Sequence, residues 1–371
     1  MSENFLIFKK YKILDNLGKG SFGTVFLGKN IQTNEKVAIK IEKRKIVRPF
    51  LEREAYILFS LKGPGIPELK SFGRTKKFNI LVESLLGKSL LQLYTNNGKS
   101  FSLKDICMLG IQILERLEYI HNKNYIHRDI KPQNIVIGKE DKRIIYLIDF
   151  GLAKKYRTDK GKHVKFTQTN HIAGTPRFCS INALRGVEQS RKDDLESLSY
   201  LIVYFFKGAL PWQGLKIDSK NSKFKKINRM KKETKVEDLC FGLPETILEF
   251  CKYIKNLTFT ENPDYDYMKN LFIKTLEKNG LKNDYIFSWI KENDENIVLP
   301  LPKTIRSNKT SFQKKLFDKI ITSLNKKKED EKIESNINEK GMEKKKENKN
   351  QKKKRYIKRY GKYIRYIRYS K

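Results

Sequence analysis

Cysteine is scarce in this 371-residue chain: Cys107, Cys179, Cys240 and Cys251 stand apart among apolar neighbours, at spacings that suit neither a disulfide framework nor a metal knuckle. Free thiols of a reducing compartment are expected, and hence an intracellular protein of the nucleus or cytoplasm. Long apolar runs are missing too. The N-terminus shows no apolar signal core, and the strongest run, Tyr200 to Phe206, falls far short of the ~20 residues that span a bilayer. That run reads as a buried helix. Position 2 is Ser2 rather than the glycine that myristoylation needs, and no cysteine lies near the C-terminus for prenylation or palmitoylation. A soluble monomer without membrane insertion is expected. Acidic residues are the third shortage: 42 Asp and Glu face 79 Lys and Arg, for a net charge of +37. The excess is uneven, with 25 basic residues against 8 acidic from Leu301 onward and 54 against 34 before it. Such a chain calls for acidic partners: phosphoproteins, acidic peptides, nucleic acid or an anionic surface.

Against these absences stands one dense stretch, His127-Arg128-Asp129-Ile130-Lys131-Pro132-Gln133-Asn134, followed across the apolar strand Ile144 to Ile148 by Asp149-Phe150-Gly151. A phosphoryl group in transfer is loosely bonded, so positioning and charge neutralisation dominate its catalysis. Asp129 is the candidate base for a substrate hydroxyl, and Lys131 the charge that would neutralise the moving phosphate. Asp149 and Asn134 offer hard oxygens to Mg²⁺. Asp, Asn and Gly also mark turns and caps wherever they fall, and either motif alone admits that reading. Both motifs together, in this order and about fifteen residues apart, argue for the chemistry.

Upstream, Tyr11 to Ile41 alternates apolar and polar positions with turn signals between, the pattern of antiparallel strands. Gly18-Lys19-Gly20-Ser21-Phe22-Gly23-Thr24-Val25 lies between the first two; its glycines allow backbone N–H groups close to phosphates. A plain hairpin turn or a dinucleotide fingerprint would share that pattern. Val37-Ala38-Ile39-Lys40 closes a strand with a lysine, for which Glu54 on the helical run Leu51 to Leu61 is the candidate partner. Glu52, on the same run, is expected to point away. Phe78 to Val82 reads as a strand ending in a hinge at Leu85-Leu86-Gly87. Ser102 opens a long helix with Leu103, Ile106, Ile113, Leu117 and Ile120 at helical spacing, and helices are expected over Asp193 to Phe206, Glu245 to Leu257 and Tyr267 to Leu281.

These motifs resemble those of eukaryotic protein kinases from about Tyr11 to Trp289, and within that superfamily the chain resembles casein kinase I. Ser180-Ile181-Asn182 stands where most kinases carry Ala-Pro-Glu. Further matches are Leu85-Leu86-Gly87, Tyr119-Ile120-His121, Leu152-Ala153-Lys154-Lys155-Tyr156, Glu188-Gln189-Ser190-Arg191, Asp193-Asp194-Leu195-Glu196-Ser197 and Leu210-Pro211-Trp212-Gln213-Gly214. The resemblance implies an α+β, two-lobed kinase fold. A small, mostly antiparallel lobe with one helix (1–84) would precede a larger, mainly helical lobe (85–294), then a disordered basic tail (295–371). It implies ATP and Mg²⁺ as cofactors and Ser/Thr of acidic or pre-phosphorylated proteins as target. Leu17, Gly18, Gly20, Gly23, Val25, Ala38, Lys40, Ser84 and Leu86 would bind ATP. Arg177, the backbone at Gly214 and Lys223 would hold an anion upstream of the target residue, as a guanidinium fork and an ammonium suit a phosphate.

Departures from the family pattern are Glu83-Ser84 before Leu-Leu-Gly, which puts a carboxylate at the gatekeeper position, Asn170 for a common lysine, Pro176, Lys88 and Gln133. A buried carboxylate at Glu83 must find a partner or a proton, and it puts nucleotide affinity in question. A weakly catalytic scaffold is the first rival reading. A nucleic-acid-associated protein is the second, since Lys352-Lys353-Lys354-Arg355 leads into Tyr356, Tyr360, Tyr363, Tyr366 and Tyr369 with basic residues between. An import-receptor signal and a merely solvated tail read equally from that stretch.

Overall fold

The computed structural model describes residues 6–290 except 20–22, 45–49, 159, 170 and 216–218. The chain divides into two units, 1–308 and 309–371, and all described residues belong to the first. Gly20, Asn170 and the whole basic tail of 295–371 lie outside the described residues.

Strong period-two patterning over the first eighty residues yields six strands in one sheet among the described residues. In chain order these are β1 (Leu6–Ile7), β2 (Tyr11–Lys19), β3 (Thr24–Asn30), β4 (Lys36–Lys43), β5 (Leu69–Arg74) and β6 (Phe78–Ser84), with helix α1 (Phe50–Ser60) between β4 and β5. Their order across the sheet is β1-β2-β3-β4-β6-β5, every pairing antiparallel. Alternation sorts the side chains by face. Val37, Ile39, Ile80 and Val82 pack with Ile7 and Tyr11 into a buried cluster on one side. Ala38 and Lys40 of β4, opposite Glu83 and Leu81 of β6, take the other.

Helix α1 starts under a carboxylate: buried Glu42 accepts from Phe50 N at 2.8 Å and from Asn79 Nδ2 at 3.0 Å. Glu52 points away from Lys40, as expected, yet it is buried and ion-paired to Arg74 of β5.

The rest of the described chain is mainly helical. In order it contains α2 (Leu90–Asn96), α3 (Leu103–Asn122), β7 (Tyr125–Ile126), β8 (Ile135–Ile137), β9 (Ile145–Leu147), a 3-10 turn (Phe150–Leu152), β10 (Lys154–Lys155), α4 (Ile181–Leu184), α5 (Arg191–Lys207), α6 (Lys220–Glu233), α7 (Val236–Leu239), α8 (Glu245–Asn256) and α9 (Tyr265–Lys278). Ser102 does open α3: its hydroxyl accepts from Asp105 N at 3.0 Å while Asp105 accepts from Ser102 N at 3.2 Å. The helix expected over 267–281 begins two residues earlier, because the Asp264 side chain caps it by accepting from Tyr267 N at 2.8 Å. The expected Asp193 helix likewise begins at Arg191, with Asp193 accepting from Ser190 N at 2.7 Å. The four cysteines are free and buried, as expected. The fold nevertheless brings Cys240 and Cys251 near enough to shift each other's titration, the first down and the second up, which their wide spacing did not suggest. No helix among the described residues is long and apolar enough to cross a membrane.

Candidate active site

Two short antiparallel pairs bring the conspicuous motifs together. β8 runs against β9 with Ile135 opposite Leu147, and Ile148 N extends the ladder to Asn134 O at 2.9 Å. Asn134, just before β8, and Asp149, just after β9, therefore meet at the same end of one hairpin. β7 pairs with β10, Ile126 opposite Lys154, which lays residues 127–129 alongside 150–153. Arg128 Nε then donates to Leu152 O at 2.7 Å and the His127 ring meets Ile148 O at 3.0 Å. α3 braces this arrangement: Gln112 Oε1 accepts from Ile145 N at 3.0 Å, and Arg116 Nε donates to Ile145 O at 3.1 Å.

Backbone strain collects here. Arg128 (φ 69°) and Asp149 (φ 67°, ψ 67°) both adopt the left-handed conformation that non-glycine residues seldom take. Both are held by the contacts just described and by Phe150, buried and 5.0 Å from the His127 ring.

Asp129 is 5% exposed and its carboxylate is fully engaged. Oδ2 accepts from Lys131 Nζ at 2.5 Å and from Asn134 Nδ2 at 3.1 Å; Oδ1 accepts from Thr175 N at 3.0 Å and Thr175 Oγ1 at 2.8 Å. Asn134 Nδ2 also donates to Asp129 O at 3.0 Å. With its amide nitrogen so committed, Asn134 has its carbonyl oxygen left for a cation.

Across the cleft, Lys40 Nζ lies 2.7 Å from Glu54 Oε1, the expected pair, and 2.9 Å from Glu83 Oε1. Glu54 Oε1 also accepts from Phe150 N at 3.3 Å, so α1, β4 and the Asp149 loop share one carboxylate. Burial alone would lower the Lys40 ammonium, but Glu54, Glu83 and Asp149 together hold it far above its ordinary value. Burial pushes the Glu54 carboxyl up to about 7; Lys40 opposes that shift, and Glu83 and Asp149 reinforce it. One ammonium shared among three acids stabilises each of them only in part. Glu83 has thus found its partner in Lys40.

A cleft of about 400 Å³ joins these groups, lined by Lys19, Gly23, Val25, Lys40, Glu54, Lys131, Asn134, Asp149 and Thr175 among others. Gly23 is required there, since a Cβ would sit 2.2 Å from Ile41 O. Of the residues expected to bind nucleotide, Gly23, Val25 and Lys40 line this cleft; Leu17, Gly18, Ala38, Ser84 and Leu86 do not. They lie on β2, β4, β6 and the hinge beyond β6. Ser84 N–H is spent on Glu68 O at 3.0 Å, so of its backbone only the carbonyl could serve a ligand.

Arg177 is exposed, and its carbonyl accepts from Trp212 Nε1 at 2.8 Å, which ties it to the loop carrying Gly214 (φ 71°). Two residues on, Cys179 O accepts from Lys231 of α6, the helix whose first turns hold Lys223. Arg177, the Gly214 loop and α6 are neighbours through these two contacts; the guanidinium itself lies 5.9 Å from the Phe178 ring and 6.0 Å from that of Tyr204.

Two residues without an assigned role belong to this site. Thr175 reaches Asp129 because Gly174 (φ 104°) brings the backbone so close that a Cβ would lie 2.7 Å from Arg128 O. Asp194 of α5, 1% exposed, accepts from His127 N at 2.7 Å, Arg128 N at 2.7 Å and His121 Nε2 at 2.9 Å. Burial keeps His121 neutral, so its Nε2–H donates to that carboxylate while Nδ1 accepts from Tyr265 O–H at 2.5 Å. Burial would raise the Asp194 carboxyl, but the hydrogen bonds from His121 and from His127 N–H hold it below its ordinary 3.8.

Asp194→Ala is therefore expected to cost about 3–5 kcal/mol, the loss typical of a broken buried charge network. A carboxylate whose folded pKa is depressed contributes stability above its unfolded pKa and loses it as pH falls through the folded one. Urea titrations of variant and wild type should thus differ fully at pH 7, with the gap narrowing only as pH falls below 3.8. A gap independent of pH would assign Asp194 to packing alone.

A curled antiparallel sheet with one helix, a mainly helical second part, and an acidic and lysine-rich cleft between them define a phosphotransferase architecture. Residues 11–279, most of the chain, match the family model described as protein kinase domain, and the chain belongs to the protein kinase family. Membership implies use of ATP with a divalent metal. Among the described residues no cluster of three or more His, Cys, Asp or Glu could hold a metal alone. Asp149 and Asn134 nonetheless fit a cation completed by nucleotide phosphates, which is how Mg²⁺ is ordinarily bound.

Proposed function

We propose that this kinase is a Ser/Thr kinase of the casein kinase I type, acting on proteins with acidic or phosphorylated residues upstream of the target. The observation that carries the catalytic reading is the Asp129 carboxylate, held by Lys131, Asn134 and both donors of Thr175. In this reading Asp129 accepts the proton of the substrate hydroxyl as that oxygen attacks the γ-phosphorus of ATP and ADP departs. Lys131, bonded to the same carboxylate, meets the charge of the transferring phosphoryl group. Lys40, steadied by Glu54, binds nucleotide phosphate. Mg²⁺ held by Asp149 and Asn134 would supply neutralisation of the phosphate charge. Leu17, Gly18, Gly23, Val25 and Ala38 would enclose the nucleotide, with the Ser84 carbonyl and the Leu86 backbone at its adenine edge.

Labelled ATP with acidic and pre-phosphorylated peptides tests this directly: label on Ser or Thr is expected, and label confined to Tyr, or none, would refute it. Substrate selection has its own test, motivated by the exposed Arg177 beside the Gly214 loop. Replacing Arg177 and Lys223 together with alanine should raise KM for a primed peptide about tenfold or more, since each charge-assisted contact to phosphate contributes roughly 1.5–3 kcal/mol before solvent screening. An unprimed peptide should be little affected. Equal loss on both peptides would make these residues structural; no loss on either would place priming elsewhere.

A further inference from the structure

Glu83 is 4% exposed, and its Oε2 is buried without a hydrogen-bond partner. Its other oxygen, Oε1, takes the Lys40 ammonium at 2.9 Å. An ammonium has three N–H donors. Glu54 engages one by a hydrogen bond, and Glu83 stands against the same ammonium as an ion pair. The two acids are carried differently. Glu54 is carried by α1, whereas Glu83 sits on β6, opposite Ala38 of the adjoining β4 and on the same face as Lys40. The sheet ladder itself fixes the second pair. Glu54, Glu83 and Asp149 all act on Lys40, so three acids share this one ammonium.

We propose that Glu83 sets the affinity of this cleft for polyanionic phosphate and holds it down. It competes with phosphate for the Lys40 ammonium as an ion-pair partner, and it holds a buried negative charge beside that ammonium. The nucleoside part of the ligand carries no such charge and is indifferent to it. The cleft therefore favours a nucleoside triphosphate over the bare nucleoside less strongly than a Lys40–Glu54 pair alone would allow. Like charges juxtaposed in a buried site cost several kcal/mol before relaxation and counter-ions reduce the effect. About a tenfold change in dissociation constant is the expected remainder, equivalent to about 1.4 kcal/mol. This inference rests on the nucleotide reading of the cleft.

The test compares the full chain with Glu83→Gln, which keeps the shape and an acceptor for Lys40 but removes the charge. Calorimetric titrations use adenosine, ADP and ATP, each in EDTA and again with Mg²⁺. Glu83→Gln should bind ATP and ADP about tenfold more tightly, with adenosine changed by less than about twofold. Glu83→Met, which also removes the polar group beside Lys40, should shift ATP in the same direction and at least as far. Adenosine binding shows that each variant is folded with its pocket intact. Unchanged or weaker ATP binding in both variants would overturn the proposal and make Glu83 a support that Lys40 needs. Equal tightening of adenosine and ATP would overturn it too, since pocket shape rather than charge would then be responsible. Wild type that binds neither adenosine nor ATP would refute the nucleotide reading, and this inference with it.

Discussion

Asp149→Asn is expected to abolish phosphate transfer while the protein stays folded. The substitution suits its position unusually well: Asp149 sits at φ 67° and ψ 67°, a left-handed conformation that asparagine tolerates better than most side chains. Backbone strain is therefore unchanged, and what is lost is the anionic oxygen proposed for the metal. Metal neutralisation of phosphate charge contributes several kcal/mol to such transfers, so turnover should fall about a thousandfold or more. Three measurements make the outcome readable: labelled-phosphate transfer, adenosine affinity and thermal midpoint. Transfer should vanish with the other two preserved. Turnover near that of wild type would remove Asp149 from the chemistry, and a fallen midpoint would assign it to the fold.

Asp129→Asn should lower kcat by about 10²–10⁴, the contribution typical of a positioned general base. ATP affinity should move little, because Asp129 meets the lining of the cleft through Lys131, Asn134 and Thr175 and is not itself part of it. The asparagine oxygen can still accept from Thr175 or from Lys131, but it can no longer take a proton. Asp149→Asn and Asp129→Asn thus separate two roles: the first removes charge neutralisation at the phosphates, the second removes the acceptor at the hydroxyl. Collapse of ATP affinity with surviving turnover in Asp129→Asn would contradict its assignment.

What the amino-acid order determined by itself was the set of residue types and their local setting. His127 to Asn134, Asp149 to Gly151 and Val37 to Lys40 are short runs whose members meet through neighbouring backbone, so their spacing already implies their grouping. The Lys40–Glu54 pair was legible for a related reason: Lys40 follows the apolar run Val37-Ala38-Ile39, and a lysine held there needs an acid, although the strand it seemed to close continues to Lys43. Strands with period two and helices with broad apolar faces were legible as well. The highly charged α6 was not, because among its described side chains only Ile227 and Lys231 are buried, too narrow a stripe to declare a helix. Only the tertiary structure decided the long-range polar contacts. Thr175 reaches Asp129 across 46 residues and Asp194 reaches His127 across 67, and no periodicity records a hydrogen bond between segments so far apart. Glu83 shows the difference at a single residue. The gatekeeper position that the family resemblance implied told that a carboxylate would be buried and need a partner, but the register of β4 against β6 decided that this partner is Lys40, already claimed by Glu54.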